Sequence, residues 1–485
     1  MSTVPNILIV SIESMDGRAL SCLGFPGAKT PELDRLAEQG VLFANTYCPS
    51  ALCVPSRAAT WSGRDCHRIG AWNNFHGLPN IEPHMASLLA QHGYHTGDLG
   101  RRDMRSGAHS LSGRISDWTR ASGVRLPIVS PHQRNDIPGD IGYPWDWNNL
   151  CGSNPWNATH NLVQWLADAT TRRQPFFLHY GIGAVHTGGG YNAAQKYRDQ
   201  IKPDDVRVPP WEEILHPALQ FQANRKNRTA RLTDDEVRAS RRNYLAAILE
   251  VNDMIAFIRA NLAQYDLADN TILIVHGDHG DMQLEHGHQW GKNNAYEAST
   301  RVPLIIHGPG ITRGRRVDGP VSLVDLLATV LDLAEAPAAP VTEGYSLAPY
   351  LAGKAGTHPH AILCQNNDGF LPTGMYLWRR DQWKYVAYAG LPPQLFDVVA
   401  DPDELHDLAA QRPEMVAELD AELRERIDYP VVDAAVKEYD RAEFRSWWFS
   451  QPSLVRETAL AKCYGNYAPF TPTHREQLLS WAGVG

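Results

Sequence analysis

Asn6-Ile7-Leu8-Ile9-Val10-Ser11-Ile12 is apolar at all but two of its positions. A strand that helices cover on both faces of a parallel sheet has this composition. Similar stretches recur later, and we expect further buried strands at 176–180, 271–275 and 302–306. Helical patterns separate them, including a long amphipathic helix that begins at the capping pair Thr233 and Glu236. This alternation predicts an α/β fold: a large doubly wound mixed sheet flanked by helices.

The chain changes character near residue 355. Its 485 residues exceed the usual size of a single hydrophobic core, so two domains are expected. Beyond 355, the stretches 374–378, 383–388 and 395–398 are typical of short antiparallel strands, and helical segments follow at 413–428 and 431–449. We predict a large domain over 1–355 and a smaller C-terminal α+β domain over 356–485.

Composition restricts the partners of this protein. The net charge of −9 argues against general nucleic-acid binding, and the arginine-rich stretch 225–242 is expected to form a solvated helical surface. No apolar run approaches membrane-spanning length, so we expect no membrane partner. The seven cysteines include no C-x-x-C pair and no signal-peptide pattern is evident, which predicts reduced thiols and a cytoplasmic location. An oligomer is compatible with this composition.

The stretch Cys53-Val54-Pro55-Ser56-Arg57 predicts an anion site. Pro55 suits the first turn of a helix, and Gly63 can end that helix. Cys53 would then lie at a helix N-terminus, where free N–H groups and the helix dipole favour an anion. Arg57, one turn further on, can aim its guanidinium group at a sulfate or phosphate oxygen. The alternative is a buried structural cysteine beside an ordinary helix start.

Polar residues also follow the predicted strands at their carboxyl ends, where sites gather in open α/β sheets. Glu13 follows the first strand, His186 follows the strand at 176–180, and Asp278-His279 follow the strand at 271–275. Two carboxylates and an imidazole that converge can hold a divalent cation. Each residue alone would more often be a capping or surface group. Together with the Cys53 stretch, they predict a metal-dependent site.

The run C-x-P-S-R, with Ser62-Gly63-Arg64 after it, resembles the signature of the type I sulfatases, formylglycine-dependent hydrolases of the alkaline phosphatase superfamily. Asp278-His279-Gly280-Asp281 and the later Lys292 resemble the family's second signature, and the resemblance covers essentially the full chain. It implies a sulfuric ester hydrolase whose catalytic domain is the predicted 1–355 unit. It further implies that a formylglycine-generating enzyme converts Cys53 to formylglycine (3-oxoalanine), whose hydrate is the nucleophile.

The resemblance also implies residue roles. The metal ligands would be Glu13, Cys53, Asp278 and His279, usually of calcium, with magnesium or manganese as alternatives because a nitrogen ligand is unusual for Ca²⁺. The catalytic residues beside Cys53 would be Arg57, Lys292, His67 and His186. Two residues depart from the family pattern: Glu13 replaces the usual aspartate, and Asp103 stands where a histidine is common.

Within the family, Asp16-Gly17-Arg18, Trp72-Asn73-Asn74-Phe75 and Ser106-Gly107-Ala108-His109-Ser110 resemble a glucuronate-2-sulfatase. The expected substrate is therefore a small sulfate ester, either an aryl sulfate or a sulfated sugar such as a 2-sulfated uronate. Arg101 would bind the anion or a uronate carboxylate together with Arg102 and Arg105, and His109 would take the place of the displaced imidazole. The alternative for these arginines is a solvated basic loop.

Three functions are compatible with these motifs. The first is a sulfatase. The second is a phosphonate monoester hydrolase or phosphodiesterase, because relatives with the same C-x-P-S-R run and Asp-His metal pair cleave phosphorus esters. The third is a non-catalytic anion-binding protein, which would follow if Cys53 stays a thiol. The joint presence of Arg57, Asp278 and Lys292 favours the two enzymes over the binding protein.

Overall fold

The computed structural model describes residues 4–104, 111–124, 155–168, 174–186, 193–214, 216–226, 228–461 and 470–484. The strands of these ranges are β1 (Asn6–Ile12), β2 (Val41–Phe43), β3 (Thr46–Tyr47), β4 (His95–Gly100), β5 (Phe176–Ile182), β6 (Thr271–Gly277), β7 (Arg301–Val302), β8 (Leu304–His307), β9 (Arg315–Val317), β10 (Val321–Ser322), β11 (Ala361–Asn366), β12 (Met375–Arg380), β13 (Trp383–Tyr388) and β14 (Leu391–Asp397).

The central sheet has seven strands in the order β4-β5-β1-β6-β8-β2-β9. β1 runs parallel to both β5 and β6, whereas β8 is antiparallel to its neighbours β6 and β2. The two faces of β1 enter different hydrophobic cores, with Ile7 and Ile9 in one and Leu8 and Val10 in the other. The prediction of a mixed, doubly wound sheet is therefore confirmed, and burial on both faces explains why β1 is almost wholly apolar.

The helices are α1 (Pro31–Gln39), α2 (Cys53–Ser62), α3 (Cys66–Ile69), α4 (Met85–Gln91), α5 (Leu111–Ser122), α6 (Pro155–Ala167), α7 (Gln195–Arg198), α8 (Pro217–Arg225), α9 (Asp234–Gln264), α10 (Glu285–His288), α11 (Glu297–Thr300), α12 (Asp325–Leu333), α13 (Ala348–Leu351), α14 (Pro413–Arg426), α15 (Tyr429–Ser450), α16 (Ser453–Ala461) and α17 (Pro472–Ala482). Short 3-10 turns lie at Ser21–Leu23, Pro203–Asp205 and Ala268–Asn270. The predicted capping box of α9 forms, since the Thr233 and Glu236 side chains bond reciprocally to the backbone. Among the described residues, no helix is both long and apolar enough to span a membrane.

The strands β11 to β14 form a separate four-stranded antiparallel sheet, as the change of character near residue 355 indicates. The sequence did not predict β11. The strand predicted at 302–306 is also wrong as a single element, because β7 pairs with β3 in a small sheet whereas β8 belongs to the central sheet. Pro303 lies between β7 and β8 and cannot donate to a strand ladder.

The arginine-rich stretch is not the solvated surface that we expected. Arg225 and Arg241 are buried and donate to backbone carbonyl groups, of Gly369 and Gln283 respectively, at 2.7 Å each. The guanidinium group of Arg228 stacks on the Trp290 ring at 3.6 Å from its centroid. A positional pattern of charges does not distinguish a solvated helix face from one that fixes neighbouring loops, and here the arginines fix loops.

Candidate active site

The start of α2 places Cys53 in the interior. Cys53 is the first residue of α2, and Gly63 ends that helix in the left-handed conformation (φ 64°), as the sequence predicts. The backbone N–H of Val54 donates to Asn74 Oδ1 at 3.1 Å, and the Ser56 hydroxyl donates to the Asp278 carbonyl. The helix start is therefore tied to both the 72–75 loop and the loop after β6.

Four buried residues from three separate elements converge on one point: Glu13, Cys53, Asp278 and His279. One ligand atom from each lies within 4.8 Å of all the others, and we call this group the four-residue cluster. Cys53 Sγ is 3.4 Å from Glu13 Oε1 and 3.3 Å from His279 Nε2. Glu13 therefore reaches the cluster in spite of its extra methylene, and the structure brings together all four predicted metal ligands.

The charge states in the cluster suit a divalent cation. Burial raises the pKa of Asp278, but its cationic neighbours, Arg57 among them, outweigh burial and hold that pKa well below its usual range. Burial likewise raises the pKa of Glu13, and His186 and Arg101 outweigh it. Burial lowers the pKa of His279 to about 4, so its ring is neutral near pH 7. Two carboxylates and a neutral imidazole fit the donor set of a divalent metal site.

Two cations, Lys292 and Arg57, lie beside the cluster. Lys292 Nζ lies 2.8 Å from Cys53 Sγ and 3.1 Å from His186 Nε2. Arg57 Nε donates to Asp278 Oδ2 at 3.1 Å, and Arg57 Nη2 lies 3.0 Å from the same oxygen. Burial lowers the pKa of Lys292, but the negative charge around Cys53 outweighs it and keeps the pKa above its ordinary value. Two fixed positive charges beside the Cys53 side chain can neutralise a tetrahedral dianion.

The other predicted site residues lie around this centre. His186 Nε2 is 3.5 Å from Glu13 Oε1, so His186 joins the site. Arg101 Nε is 2.8 Å from Glu13 Oε2 and also donates to Asp103 at 2.8 Å, which occupies its guanidinium group with carboxylates of the chain itself. His67 pairs instead with Gln365, Nδ1 to Oε1, at 3.0 Å. His109, like Arg105, falls outside the described residues.

The loop between His279 and Lys292 adopts an unusual backbone conformation. Gln283, Leu284, His286 and His288 all have positive φ, between 44° and 66°. Left-handed conformations cost energy for residues other than glycine and are kept only where the surroundings hold them. The His286 ring stacks on Tyr296 at 3.6 Å and its Nδ1 lies 2.6 Å from Glu212 Oε1. These contacts hold the turn that delivers Lys292 to Cys53.

Sequence reasoning missed several residues that support the site. Asn74, which binds the start of α2, belongs to a stretch that was used only for its resemblance to a glucuronate-2-sulfatase. Gln365 lies on β11, a strand that the sequence did not predict. Ser11 and His179 lie inside β1 and β5, where they interrupt otherwise apolar runs. A polar residue in a fully buried strand requires a hydrogen-bond partner, and this rule would have singled out both.

Comparison with known proteins agrees with this geometry. The family model described as Sulfatase matches residues 5–336, and that described as N-sulphoglucosamine sulphohydrolase, C-terminal, matches residues 285–430. This chain belongs to the sulfatase family. It is 35% identical to arylsulfatase K of Gallus gallus over 92% of this chain and 86% of the relative. It is 34% identical to arylsulfatase K of Homo sapiens over 91% of this chain and 86% of the relative. The sulfatase is thus an arylsulfatase K-like hydrolase.

Solved structures show the same fold at lower identity. The phosphonate monoester hydrolase of Agrobacterium radiobacter superposes with a TM-score of 0.70 at 21% identity, covering 87% of this chain and 96% of that one. A protein described as a 2-O GAG sulfatase gives a TM-score of 0.67 at 21% identity, covering 98% of this chain and 99% of that one. The sulfatase therefore has the α/β fold of the alkaline phosphatase type. At this identity the likeness concerns the fold alone.

Proposed function

We propose that this sulfatase hydrolyses the sulfate ester of a small sulfated sugar, with a 2-sulfated uronate as the substrate. The observation that carries the proposal is the environment of Cys53: a buried side chain at a helix start, within 3.4 Å of Glu13 and His279 and 2.8 Å from Lys292 Nζ. A structural cysteine has no need of two carboxylates, a lysine and an imidazole around its sulfur. The likeness to arylsulfatase K supports the choice of a sulfate ester.

In the proposed reaction, conversion of Cys53 to formylglycine and binding of a divalent cation, with calcium as our first choice, would supply the nucleophile and its polarisation. Glu13, Asp278 and His279 would hold the cation. Arg57 and Lys292 bind the sulfate oxygens and neutralise the charge that grows on them in the transition state. His186 lies beside Lys292, and we assign it the transfer of a proton to the leaving alcohol. His67 is the alternative proton donor, because its Nδ1 contacts Gln365 whereas its Nε2 is buried without a hydrogen-bond partner among the described residues.

A uronate carboxylate requires a further cation beside the sulfate group. Arg101 is paired with Glu13 and Asp103, so its charge is already matched. Arg102 is exposed next to it and is our candidate for the carboxylate. An Arg102→Gln variant is then expected to raise KM for a 2-sulfated glucuronide by about tenfold and to leave KM for a plain aryl sulfate unchanged.

The test of the function combines mass spectrometry with paired substrates. Protein is produced in a host that contains a formylglycine-generating enzyme, and the peptide across Cys53 is expected to show the aldehyde or its hydrate. Converted protein is then assayed on matched aryl sulfate and aryl phosphonate esters, before and after chelation and re-addition of Ca²⁺, Mg²⁺ or Mn²⁺. We expect faster sulfate hydrolysis that depends on the cation. Faster hydrolysis of the phosphonate ester would contradict the sulfatase proposal and favour a phosphonate monoester hydrolase. A thiol that stays quantitatively unmodified would favour an anion-binding protein.

A further inference from the structure

A line of polar groups, buried except for the partly exposed Asp98, crosses the central sheet beneath the active site. It begins at Arg57, whose Nη1 lies 3.3 Å from Ser11 Oγ and 3.4 Å from the Arg101 carbonyl oxygen. Ser11 Oγ lies 2.8 Å from His179 Nε2, and His179 Nδ1 lies 2.8 Å from Asp98 Oδ1. These residues come from α2, β1, β5 and β4, so the line joins the catalytic helix to three neighbouring strands.

We propose that Asp98, His179 and Ser11 form a positioning chain that fixes the orientation of the Arg57 guanidinium group for the sulfate ester. The inference rests on the proposed function, because it requires Arg57 to contact the reacting group. The three members are positioning residues, since each acts through Arg57.

Hydrogen-bond chemistry fixes the direction of every link. A guanidinium group can only donate, so Ser11 Oγ accepts from Arg57 Nη1. The Asp98 carboxylate can only accept, so the proton of a neutral His179 ring sits on Nδ1 and is donated to Asp98. His179 Nε2 is then the unprotonated ring nitrogen and accepts from the Ser11 hydroxyl. Burial lowers the pKa of His179 even though Asp98 opposes it, so the ring is neutral, as this arrangement requires.

The packing of His179 adds a second constraint on the catalytic helix. The His179 ring meets the Trp61 ring edge-to-face, with centroids 5.1 Å apart and planes at 79°. Trp61 lies one turn after Arg57 on α2, so His179 contacts the helix through Trp61 and reaches Arg57 through Ser11. Both the position of the helix and the direction of the guanidinium group therefore depend on one imidazole ring.

Stability alone gives no reason for these polar residues. Ser11 and His179 are each only 1% exposed, on strands whose other residues are mostly apolar. Burying hydroxyl and imidazole groups costs solvation free energy, and the hydrogen bonds between them offset this cost only approximately. An apolar pair of similar shape would stabilise the core at least as well. What an apolar pair lacks is an acceptor for Arg57 Nη1. Without that acceptor, Arg57 would be oriented by Asp278 and the Arg101 carbonyl oxygen only.

The test is a double-mutant cycle on converted protein with an aryl sulfate. Ser11→Ala and His179→Phe are each expected to lower kcat about tenfold with KM changed less than about twofold, because Arg57 acts most strongly on transition-state charge. The double variant is expected to lose no more than about twofold beyond either single variant, since both changes break one chain. Ser11→Thr keeps the hydroxyl group and should recover kcat to within about threefold of the original.

The control is Tyr180→Phe. Tyr180 is next to His179 on β5 but belongs to the other core, where its hydroxyl lies 2.8 Å from Thr159 Oγ1. The Tyr180→Phe variant loses a buried hydrogen bond but leaves the positioning chain of Asp98, His179 and Ser11 unchanged. Its kcat should therefore stay within about twofold of that of the unchanged protein. Additive losses in the double variant, or an equal loss in Tyr180→Phe, would overturn the positioning role.

A second readout separates this inference from the proposed function. Crystal structures of Ser11→Ala and of the unchanged protein show directly whether the Arg57 guanidinium group turns, whatever ester the protein cleaves. If the unchanged protein cleaves no sulfate ester, the proposed function fails, and an Arg57 that still turns in Ser11→Ala supports the chain. An Arg57 with the same orientation in both structures overturns the chain, even if sulfate hydrolysis is confirmed.

Discussion

Two groups of buried charges in this sulfatase have similar composition and different consequences. One is the four-residue cluster with Arg57 and Lys292. The other, which we call the lysine cluster, consists of Tyr47, Glu297, Arg379, Lys384 and Glu404. Lys384 Nζ lies 3.1 Å from Glu297 Oε1 and also contacts Glu404. The hydroxyl of Tyr47 lies 2.9 Å and 3.0 Å from the two Glu297 oxygens. The lysine cluster joins β3 and α11 to the four-stranded sheet.

The difference lies in what the charges face. In the lysine cluster, Lys384 of β13 lies between two acids, Glu297 of α11 and Glu404. Hydroxyl and backbone groups complete the contacts, such as the Glu297 N–H, which donates to Glu404 Oε2 at 2.6 Å. In the four-residue cluster, two carboxylates, a thiol and a neutral imidazole converge on one point. The cations that balance the carboxylates lie outside that point, with Arg57 against Asp278 and Arg101 against Glu13. Charges that pair within one group stabilise a junction between elements. Carboxylates that converge with an imidazole and a thiol on one point also offer donor atoms to a ligand.

The largest expected effect is on turnover and concerns Cys53. Cys53→Ser should lower steady-state hydrolysis of an aryl sulfate by about 10³-fold or more, because serine has a single oxygen and would retain the transferred sulfate after one event. The measurement is a time course with a stoichiometric burst. Cys22→Ser changes an exposed thiol and serves as the control, with activity unchanged. Continued turnover by Cys53→Ser would contradict the covalent mechanism and the catalytic role that we give to the four-residue cluster.

Next in size is the effect of breaking the lysine cluster. Lys384→Met leaves Glu297 and Glu404 close together in the interior without their cation, and such a loss typically costs about 3–5 kcal/mol of unfolding free energy. Urea unfolding measures this, while KM of the folded fraction should not change. A loss below about 1 kcal/mol would show that Lys384 is dispensable and that the two clusters do not differ as we describe.

A third expected effect separates Glu297 of the lysine cluster from His67, a residue outside both clusters, by the pH at which each loses stability. Burial lowers the pKa of His67 to about 4, whereas Lys384 and neighbouring arginines, acting against burial, lower the pKa of Glu297 to about 2. Both folded-state values lie below the unfolded ones, so each contribution is complete above the unfolded pKa and is lost on acidification. His67 should thus cost stability between about pH 6.5 and 4, and Glu297 only between about pH 4.5 and 2.

The variant His67→Gln isolates the upper window. Urea unfolding at pH 7, 5.5 and 4.5 measures the loss of unfolding free energy on acidification. Between pH 7 and 4.5, this loss should be about 2 kcal/mol smaller in His67→Gln than in the unchanged protein, after allowance for the partial exposure of the ring. Equal slopes in both proteins would remove His67 as the source of acid sensitivity.

The smallest expected effect comes from an exposed pair. Arg380 Nη2 lies 2.9 Å from a Glu418 oxygen, and the Glu418 side chain is 52% exposed. Glu418→Ala should change unfolding free energy by less than about 1 kcal/mol, because water screens the pair. This variant is the matched control for Lys384→Met. A loss as large as that of Lys384→Met would mean that burial is not what distinguishes the lysine cluster.

The sequence predicted those parts of this molecule that have a local cause. The apolar runs of β1, β5 and β6 follow from burial on both faces, and Pro55 and Gly63 delimit α2 by their backbone preferences. Glu13, Asp278 and His279 were predicted to converge because they follow strands whose carboxyl ends share one edge of the sheet. The family resemblance added Cys53 to this set. Local patterns suffice for the strands, the helix and the three residues after strand ends.

What could not be predicted depends on pairing between distant residues. Gln365 contacts His67 although the two residues are 298 positions apart in the chain, and nothing in the sequence near either residue indicates the contact. Lys384 appeared to be an ordinary residue of an antiparallel strand, although it is wholly buried between two glutamates. Arg101 was predicted as a substrate ligand because cations suit anions, and that role stays a prediction. Its contacts with Glu13 and Asp103 were not predicted. Such contacts are decided only when the fold brings the partners together.

Under the proposed function, the burial of Cys53 sets an order of events during biosynthesis. Only 1% of the Cys53 surface is exposed in the folded state, and this leaves too little surface for a second enzyme to bind around the thiol. An enzyme that oxidises this thiol would have to reach it before the chain has folded around it. Conversion and folding therefore compete in time. A faster-folding variant of this protein would leave a larger permanently unconverted fraction, and folded thiol protein added to the oxidising enzyme would stay a thiol.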